Sequence, residues 1–276
     1  MLKLRIITAV VLLAVFLPLL VYPNPDPFVA VSLILISAGV WEWGRLNGLP
    51  AITSVLTGIG FAVVLGGLWF TNGLPLNGWY GGLIAVLWFV GVPWLLNRGV
   101  GAWARIPRGV RVVLGLLVLG VAWVAMAHAR SLGINFLLSI FSLVWMADIA
   151  AYFGGRTWGR QKLAPTISPG KSREGVMAGW LGVVVLAVFW VWIDVNFEVD
   201  SKSVFSQLLA KHQFLAWIGI SCLVVASVLG DLAESLVKRS AGFKDSSNLL
   251  PGHGGVLDRV DALLPVLPLA VVFVSI

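Results

Sequence analysis

The sequence predicts an all-α, polytopic integral membrane bundle of about nine spans. Two observations decide this. Of the 276 residues, 59% are hydrophobic and only 11% charged, with 14 Trp and 14 Phe, a balance far outside that of water-soluble domains. Apolar runs of about 20 residues, the length that crosses the hydrocarbon core of a bilayer, recur from one end of the chain to the other without a long polar linker. The chain is therefore read as one integral membrane domain, 1–276, with N-terminal spans over 1–140 and the chemistry-bearing residues in 141–276.

The spans are expected at roughly 5–22, 28–44, 51–70, 79–96, 110–128, 134–154, 176–194, 213–236 and 260–276. Lys3 and Arg5 precede the first, and no small-x-small cleavage site appears before Tyr22, so an uncleaved helix is expected rather than a signal peptide. The third carries Gly58, Gly60, Gly66 and Gly67, which weaken a helix in water but let helices approach closely in lipid. The ninth contains Pro265 and Pro268 and predicts a kinked or re-entrant segment. Residues 195–212 read as a polar outer loop in which Asp200 has no role. The single Cys222 lies in an apolar run, which excludes a disulfide framework or a cysteine metal cluster within one chain and predicts a buried, inert thiol.

The formal charge of +7 does not point to nucleic acid, because the basic residues sit in short loops between apolar runs and form no patch interleaved with aromatics. They obey the positive-inside pattern instead. With the N-terminus in the cytoplasm, sixteen of the 19 Lys and Arg fall on the cytoplasmic face, and only Arg130, Lys202 and Lys211 fall outside. This predicts a multi-pass protein of the bacterial inner membrane.

Carboxylates beside apolar helix are costly and mark functional sites. Asp231, Glu234, Ser235 and Lys238 are spaced i, i+3, i+4 and i+7, so they line one stripe at the end of the eighth span. Beyond Arg239 and Lys244 comes Pro251-Gly252-His253-Gly254-Gly255, whose glycines allow backbone N–H groups to gather around phosphate oxygens. Asp258, Arg259 and Asp261 follow, adding a second pair of hard oxygen ligands. A second cluster begins with Asp148 inside the sixth span and continues through Arg156, Arg160 and Lys162 to Ser168-Pro169-Gly170-Lys171-Ser172-Arg173, a composition suited to a polyphosphate. Glu42 and Arg45 read as an interfacial pair, and Trp41 and Trp43 as aromatic-belt residues.

Two runs carry a family resemblance. Ser235-Leu236-Val237-Lys238-Arg239, then Lys244-Asp245, then His253-Gly254-Gly255-Val256-Leu257-Asp258-Arg259-Val260-Asp261 resemble the signature of phosphatidate cytidylyltransferases, also called CDP-diacylglycerol synthases. Asp148-x-x-Ala151-Tyr152-x-x-Gly155 and the loop to Gly175 resemble the second motif of that family, with Gly170 where it commonly carries a lysine. The resemblance implies transfer of the cytidylyl group of CTP to phosphatidic acid, giving CDP-diacylglycerol and pyrophosphate, with a divalent cation, usually magnesium, and a homodimer; a second, monovalent cation is left open. On this reading Asp231 and Asp258 are metal ligands and Asp261, Glu234 and Lys238 complete the catalytic set. Arg239, Lys244, His253, Gly254, Gly255 and Arg259 bind phosphate, and Ser168, Lys171 and Asp148 lie toward the nucleotide. The site is expected on the cytoplasmic face, where CTP is found, with the lipid chains in the bilayer. A CTP-dependent polyprenol or lipid kinase would share these groups, and a transporter would instead need carboxylates near mid-membrane with routes to both faces.

Overall fold

The computed structural model describes residues 2–72 and 79–275, without the side chains of residues 2–5, 72, 79 and 80, so Lys3, Arg5 and the final residue of the expected ninth span, Ile276, lie outside the described side chains. The elements follow the apolar runs closely. They are α1 (Leu2–Val21), α2 (Asp26–Leu46), α3 (Ala51–Asn72), α4 (Trp79–Val86), a π turn (Leu87–Gly91), α5 (Val92–Arg98), α6 (Val100–Arg105), α7 (Arg108–Leu132) and α8 (Ile134–Trp158). After β1 (Lys162–Ala164) and β2 (Ser168–Ser172) come α9 (Arg173–Asn196), α10 (Val204–Lys211), α11 (Gln213–Ser240), α12 (Leu257–Val260) and α13 (Leu263–Ser275).

Seven segments among the described residues are long and apolar enough to cross a membrane: α2, α3, the Gly81–Arg98 unit built from α4, the π turn and α5, and α7, α8, α9 and α11. In α1 the described apolar stretch is Ile6–Val21. The expected ninth span is shorter than its apolar run. The chain turns at Asp261 and Ala262, and the 13 residues of α13 rise only about 20 Å. Almost all of α13 is buried, from Leu264 to Val272, so it is a central core helix packed on α7 and α11. Large apolar residues such as Ile52 and Val63 on α3 and Val185 on α9 are exposed, as expected of faces that meet lipid.

Local sequence explains the irregularities. Pro93 has no N–H to donate, and the widened turn at Leu87–Gly91 immediately precedes it. Helix α3 forms despite its glycines because it packs against α2. A Cβ on Gly58 would stand 2.8 Å from the Ser37 carbonyl. Helices α8 and α9 meet even more closely: a Cβ on Gly154 would lie 2.2 Å from that of Ala178, and one on Gly179 2.7 Å from the Ala147 carbonyl. Cys222 is half-buried rather than buried.

The segment 195–212 is more ordered than its polarity suggests. Ser203 caps α10, which buries Val204, Phe205 and Leu208. Asp194, only 2% exposed, accepts hydrogen bonds from Asn135 Nδ2 at 2.7 Å, the Ser203 N–H at 2.9 Å and the Ser206 hydroxyl at 2.5 Å. Asp200, expected to be dispensable, accepts from the Ile134 and Asn135 N–H groups at 2.5 and 3.0 Å and so caps α8. Asp200→Ala should therefore cost about 1 kcal/mol, read as a lower thermal midpoint in detergent and faster hydrogen exchange in the first turn of α8.

Candidate active site

A cavity of about 520 Å³ opens between α8, α9, α11 and the hairpin. The hairpin is where the sequence reading saw an irregular loop. Its strands are antiparallel, with Lys162 opposite Ser172 and Ala164 opposite Ser168. It is fixed at both ends: Ile167 at its turn is buried, and the Glu174 carboxylate accepts from the Arg160 and Gln161 N–H groups at 3.1 Å. The Ser172 hydroxyl caps α9 by accepting from the Gly175 N–H at 3.2 Å. Pinned in this way, β2 directs Lys171 into the cavity, where Nζ stands 2.6 Å from Asp231 Oδ2. Asp148, Arg156 and Lys162 line the same cavity. The wall runs past the start of α9, and Ser168, expected toward the nucleotide, does not line it.

Helix α11 carries the centre of the site. Its 28 residues rise about 42 Å, more than the roughly 30 Å of hydrocarbon core, so the helix is long enough to span and still carry polar residues at its end. The expected stripe of Asp231, Glu234, Ser235 and Lys238 divides. Asp231 faces the polar cavity, with only a long 3.3 Å hydrogen bond from Ser235 besides Lys171. Glu234 turns inward toward an apolar cavity of about 250 Å³ lined by Trp88, Trp103 and Leu264. Neither Glu234 oxygen has a hydrogen-bond donor among the described residues, and its charge is met by Lys238 Nζ at 2.5 Å.

Lys238 also stands 2.5 Å from Asp258 Oδ1. Asp258 Oδ2 accepts from the Ser246 N–H at 2.9 Å, the Ser246 hydroxyl at 2.8 Å and the Gly255 N–H at 2.8 Å. Burial alone would raise the Asp258 pKa, but Lys238 and these donors outweigh it and hold the carboxyl below its usual range. The glycine loop is thus folded around carboxylates of the protein itself. Gly254 has φ +84°, and a Cβ there would stand 2.6 Å from Asp258 Oδ2. The N–H of Gly255, a residue the sequence suggested for phosphate, is engaged by Asp258, and those of the following Val256 and Leu257 by Glu42.

Glu42 is the residue that sequence reasoning missed. It is completely buried, and it accepts from Ser246, Ser247, Val256 and Leu257. Arg45, its expected partner, instead lies over the Trp41 ring, 4.9 Å from the centroid. The signal available was an acid inside an otherwise apolar span. Trp43 is not a free belt residue either: its indole N–H donates to the Arg111 carbonyl at 2.9 Å.

The cytidylyltransferase family model matches residues 3–276. The chain belongs to this family. It is 37% identical over 274 residues to a phosphatidate cytidylyltransferase of Pseudomonas aeruginosa, with 97% of this chain and 95% of the relative covered. Identity to the phosphatidate cytidylyltransferase of Haemophilus influenzae is 35% over 294 residues, covering 97% and 96%. A third protein of that name, from Staphylococcus saprophyticus, is 29% identical over 277 residues, again with 97% and 96% covered.

In this family member, α11 carries Asp231 toward the hairpin and Lys238 toward Asp258, so both sequence clusters meet at one end of the bundle. Asp261 joins them: α11 approaches it through Gly230, where a Cβ would lie 2.4 Å from the Asp261 carbonyl. Arg239, Lys244 and Arg259 are exposed and form no ion pair among the described residues. His253 is half-buried, and its Nδ1 has no hydrogen-bond partner among them.

Magnesium commonly uses one or two protein carboxylates and completes its shell with phosphate oxygens and water. Among the described residues no three His, Cys, Asp or Glu side chains converge to enclose a metal unaided. Asp231 fits the open mode, since it is partly exposed in the polar cavity and held mainly by one ammonium, that of Lys171. Asp258 has every oxygen engaged by a protein donor, and ligation through it requires Lys238 to release Oδ1.

Proposed function

We propose that the protein transfers the cytidylyl group of CTP to phosphatidic acid at the cytoplasmic face of a bacterial inner membrane. The observation that carries this reading is the cavity in which Asp148, Lys171 and Asp231 meet at the end of apolar helices, in a chain that belongs to the cytidylyltransferase family. A phosphatidate oxygen attacks the α-phosphorus of CTP. The new P–O bond forms as the bond from the α-phosphorus to the bridging α–β oxygen breaks, and pyrophosphate leaves with that electron pair. The nucleophile is already anionic, so no covalent enzyme intermediate is needed. Two polyanions must approach each other, and the barrier is set by how well their charge is neutralised and their phosphates aligned.

Lys171 is the ammonium already inside the cavity, and in the proposed reaction it exchanges Asp231 for the triphosphate. Arg156 and Lys162 at the cavity wall add positive charge, and exposed Arg239, Lys244 and Arg259 attract the nucleotide and the anionic headgroup. Magnesium is the expected cation; Asp231 would hold it, with Asp261 as the next candidate ligand, and when bound it would supply charge neutralisation on the phosphates. Lys238 keeps Asp258 and Glu234 in place beneath the loop. The acyl chains remain in the bilayer while the reacting phosphate reaches the end of α11.

The test is turnover by purified protein with phosphatidic acid, magnesium and CTP labelled at the α-phosphate. Label in lipid with stoichiometric pyrophosphate is expected. Label that enters lipid only from the γ-position would identify a lipid kinase instead. Lys171→Ala should raise the KM for CTP about tenfold, the loss of one charge-assisted phosphate contact. An unchanged KM would place the triphosphate elsewhere.

A further inference from the structure

We propose that Glu42, far from the signature residues in sequence, is a positioning residue of the site: it sets the orientation of Asp258 and, through it, of Lys238. The proposal rests on the cytidylyl-transfer reading and extends it to the N-terminal half of the chain. Glu42 lies on α2 and is completely buried. No Lys, Arg or His stands within ion-pair distance among the described residues. A carboxylate in that position is tolerated only if its oxygens are fully hydrogen-bonded.

The four donors come from one loop. Oε1 accepts from the Ser247 hydroxyl at 2.5 Å and the Val256 N–H at 2.9 Å, while Oε2 accepts from the Ser246 hydroxyl at 3.0 Å and the Leu257 N–H at 2.8 Å. Glu42 therefore ties together both ends of the glycine loop. Nothing larger than hydrogen fits at Gly255, where a Cβ would stand 2.3 Å from Glu42 Oε1 and 2.1 Å from the Ser246 hydroxyl. The link onward is also Ser246: its hydroxyl, with one proton to share, lies between Glu42 Oε2 at 3.0 Å and Asp258 Oδ2 at 2.8 Å, and its N–H donates to the same Asp258 oxygen. Asp258 in turn holds Lys238. Ser247 touches Glu42 but has no bond to Asp258.

This difference between adjacent serines separates positioning from mere stability. Ser246→Ala and Ser247→Ala each remove one hydroxyl that touches Glu42, and both should lower the thermal midpoint. Only Ser246→Ala removes the hydroxyl between Glu42 and Asp258 while keeping the N–H bond to Asp258, so its kcat should fall about tenfold with the KM for CTP within about threefold, the size of effect seen when a supporting hydrogen bond is removed. Ser247→Ala should lose much less. Glu42→Gln must face an amide N–H₂ toward the N–H of Val256 or Leu257, and its loss in kcat should not deepen when Ser246→Ala is added, because both act through Asp258. Equal kcat in the two serine variants would overturn the proposal even if Glu42→Gln fails to fold. So would losses in Glu42→Gln and Ser246→Ala that are additive and follow the thermal midpoint. Absence of label transfer by the wild-type protein would instead remove the reading on which the proposal rests.

Discussion

Asp231→Asn should lower kcat by a factor on the order of 10² to 10³, the cost of deleting one group that supports charge in the transition state, with the protein inserted and folded. The substitution keeps shape and removes the charge. In the free protein Asp231 holds Lys171 in the cavity at 2.6 Å, and both side chains are about a quarter exposed, at 28% and 23%. A pair so accessible to water contributes little to folding, so the thermal midpoint should barely move. The loss falls on catalysis, because the cavity then has no partly free carboxylate on α11 with which to hold a cation against the substrate phosphates. Turnover followed as α-label in lipid, beside thermal unfolding in detergent, separates the two. Near-normal kcat in the folded variant would remove Asp231 from the site.

Lys238→Met should act the opposite way, on the folded state first. Lys238 is the single ammonium between Glu234 and Asp258, at 2.5 Å from each, and those side chains are 3% and 6% exposed. Methionine fills the volume and leaves two buried carboxylates without their counter-charge, a change that costs about 3 to 5 kcal/mol. Glu234 is the more vulnerable, since among the described residues Lys238 is its only ion-pair partner, whereas Asp258 retains the Ser246 and Gly255 donors. Adding Glu234→Gln should thus restore part of the lost midpoint without restoring activity. An unchanged midpoint in Lys238→Met, or no recovery in the double variant, would contradict the buried three-group cluster.

The spans were legible because length and apolarity alone set them in a bilayer; α2, α7, α8, α9 and α11 extend the expected ranges by only a few residues. What length could not convey was interruption. The apolar run to Ile276 has the length of a span and its prolines signalled a kink, yet the break comes earlier, after Asp261, where the chain packs against Gly230, and the remainder becomes the short core helix α13. The hairpin was hidden for another reason. Its strands have three and five residues and include Pro169 and Gly170, and they are held by Ile167, Ser172 and Glu174 rather than by strand propensity.

In the site, residue types were readable and partners were not. Helical spacing placed Asp231, Glu234 and Lys238 near one another, but periodicity does not tell which neighbouring helix each will meet. Two carboxylates one turn apart consequently face different cavities. The glycines around His253 signalled close approach correctly, and the approaching groups are Asp258, Glu42 and Ser246 of the chain itself. Glu42 is separated from the loop it organises by more than 200 residues, a contact that no local pattern encodes.

The glycine seam between α8 and α9 gives the polar cavity one wall without slack. The backbones already touch at Gly154 and Gly179, and a Cβ on Gly175, three residues after Ser172, would stand 2.8 Å from the Ala151 carbonyl. A single added methyl must wedge the helices apart, and because α9 begins where the hairpin ends, Lys171 would be carried away from Asp231 with it. Room for more bulk in this cavity is therefore to be gained only on its other side, at Val224 and Val228 of α11, or through the length and tilt of the hairpin.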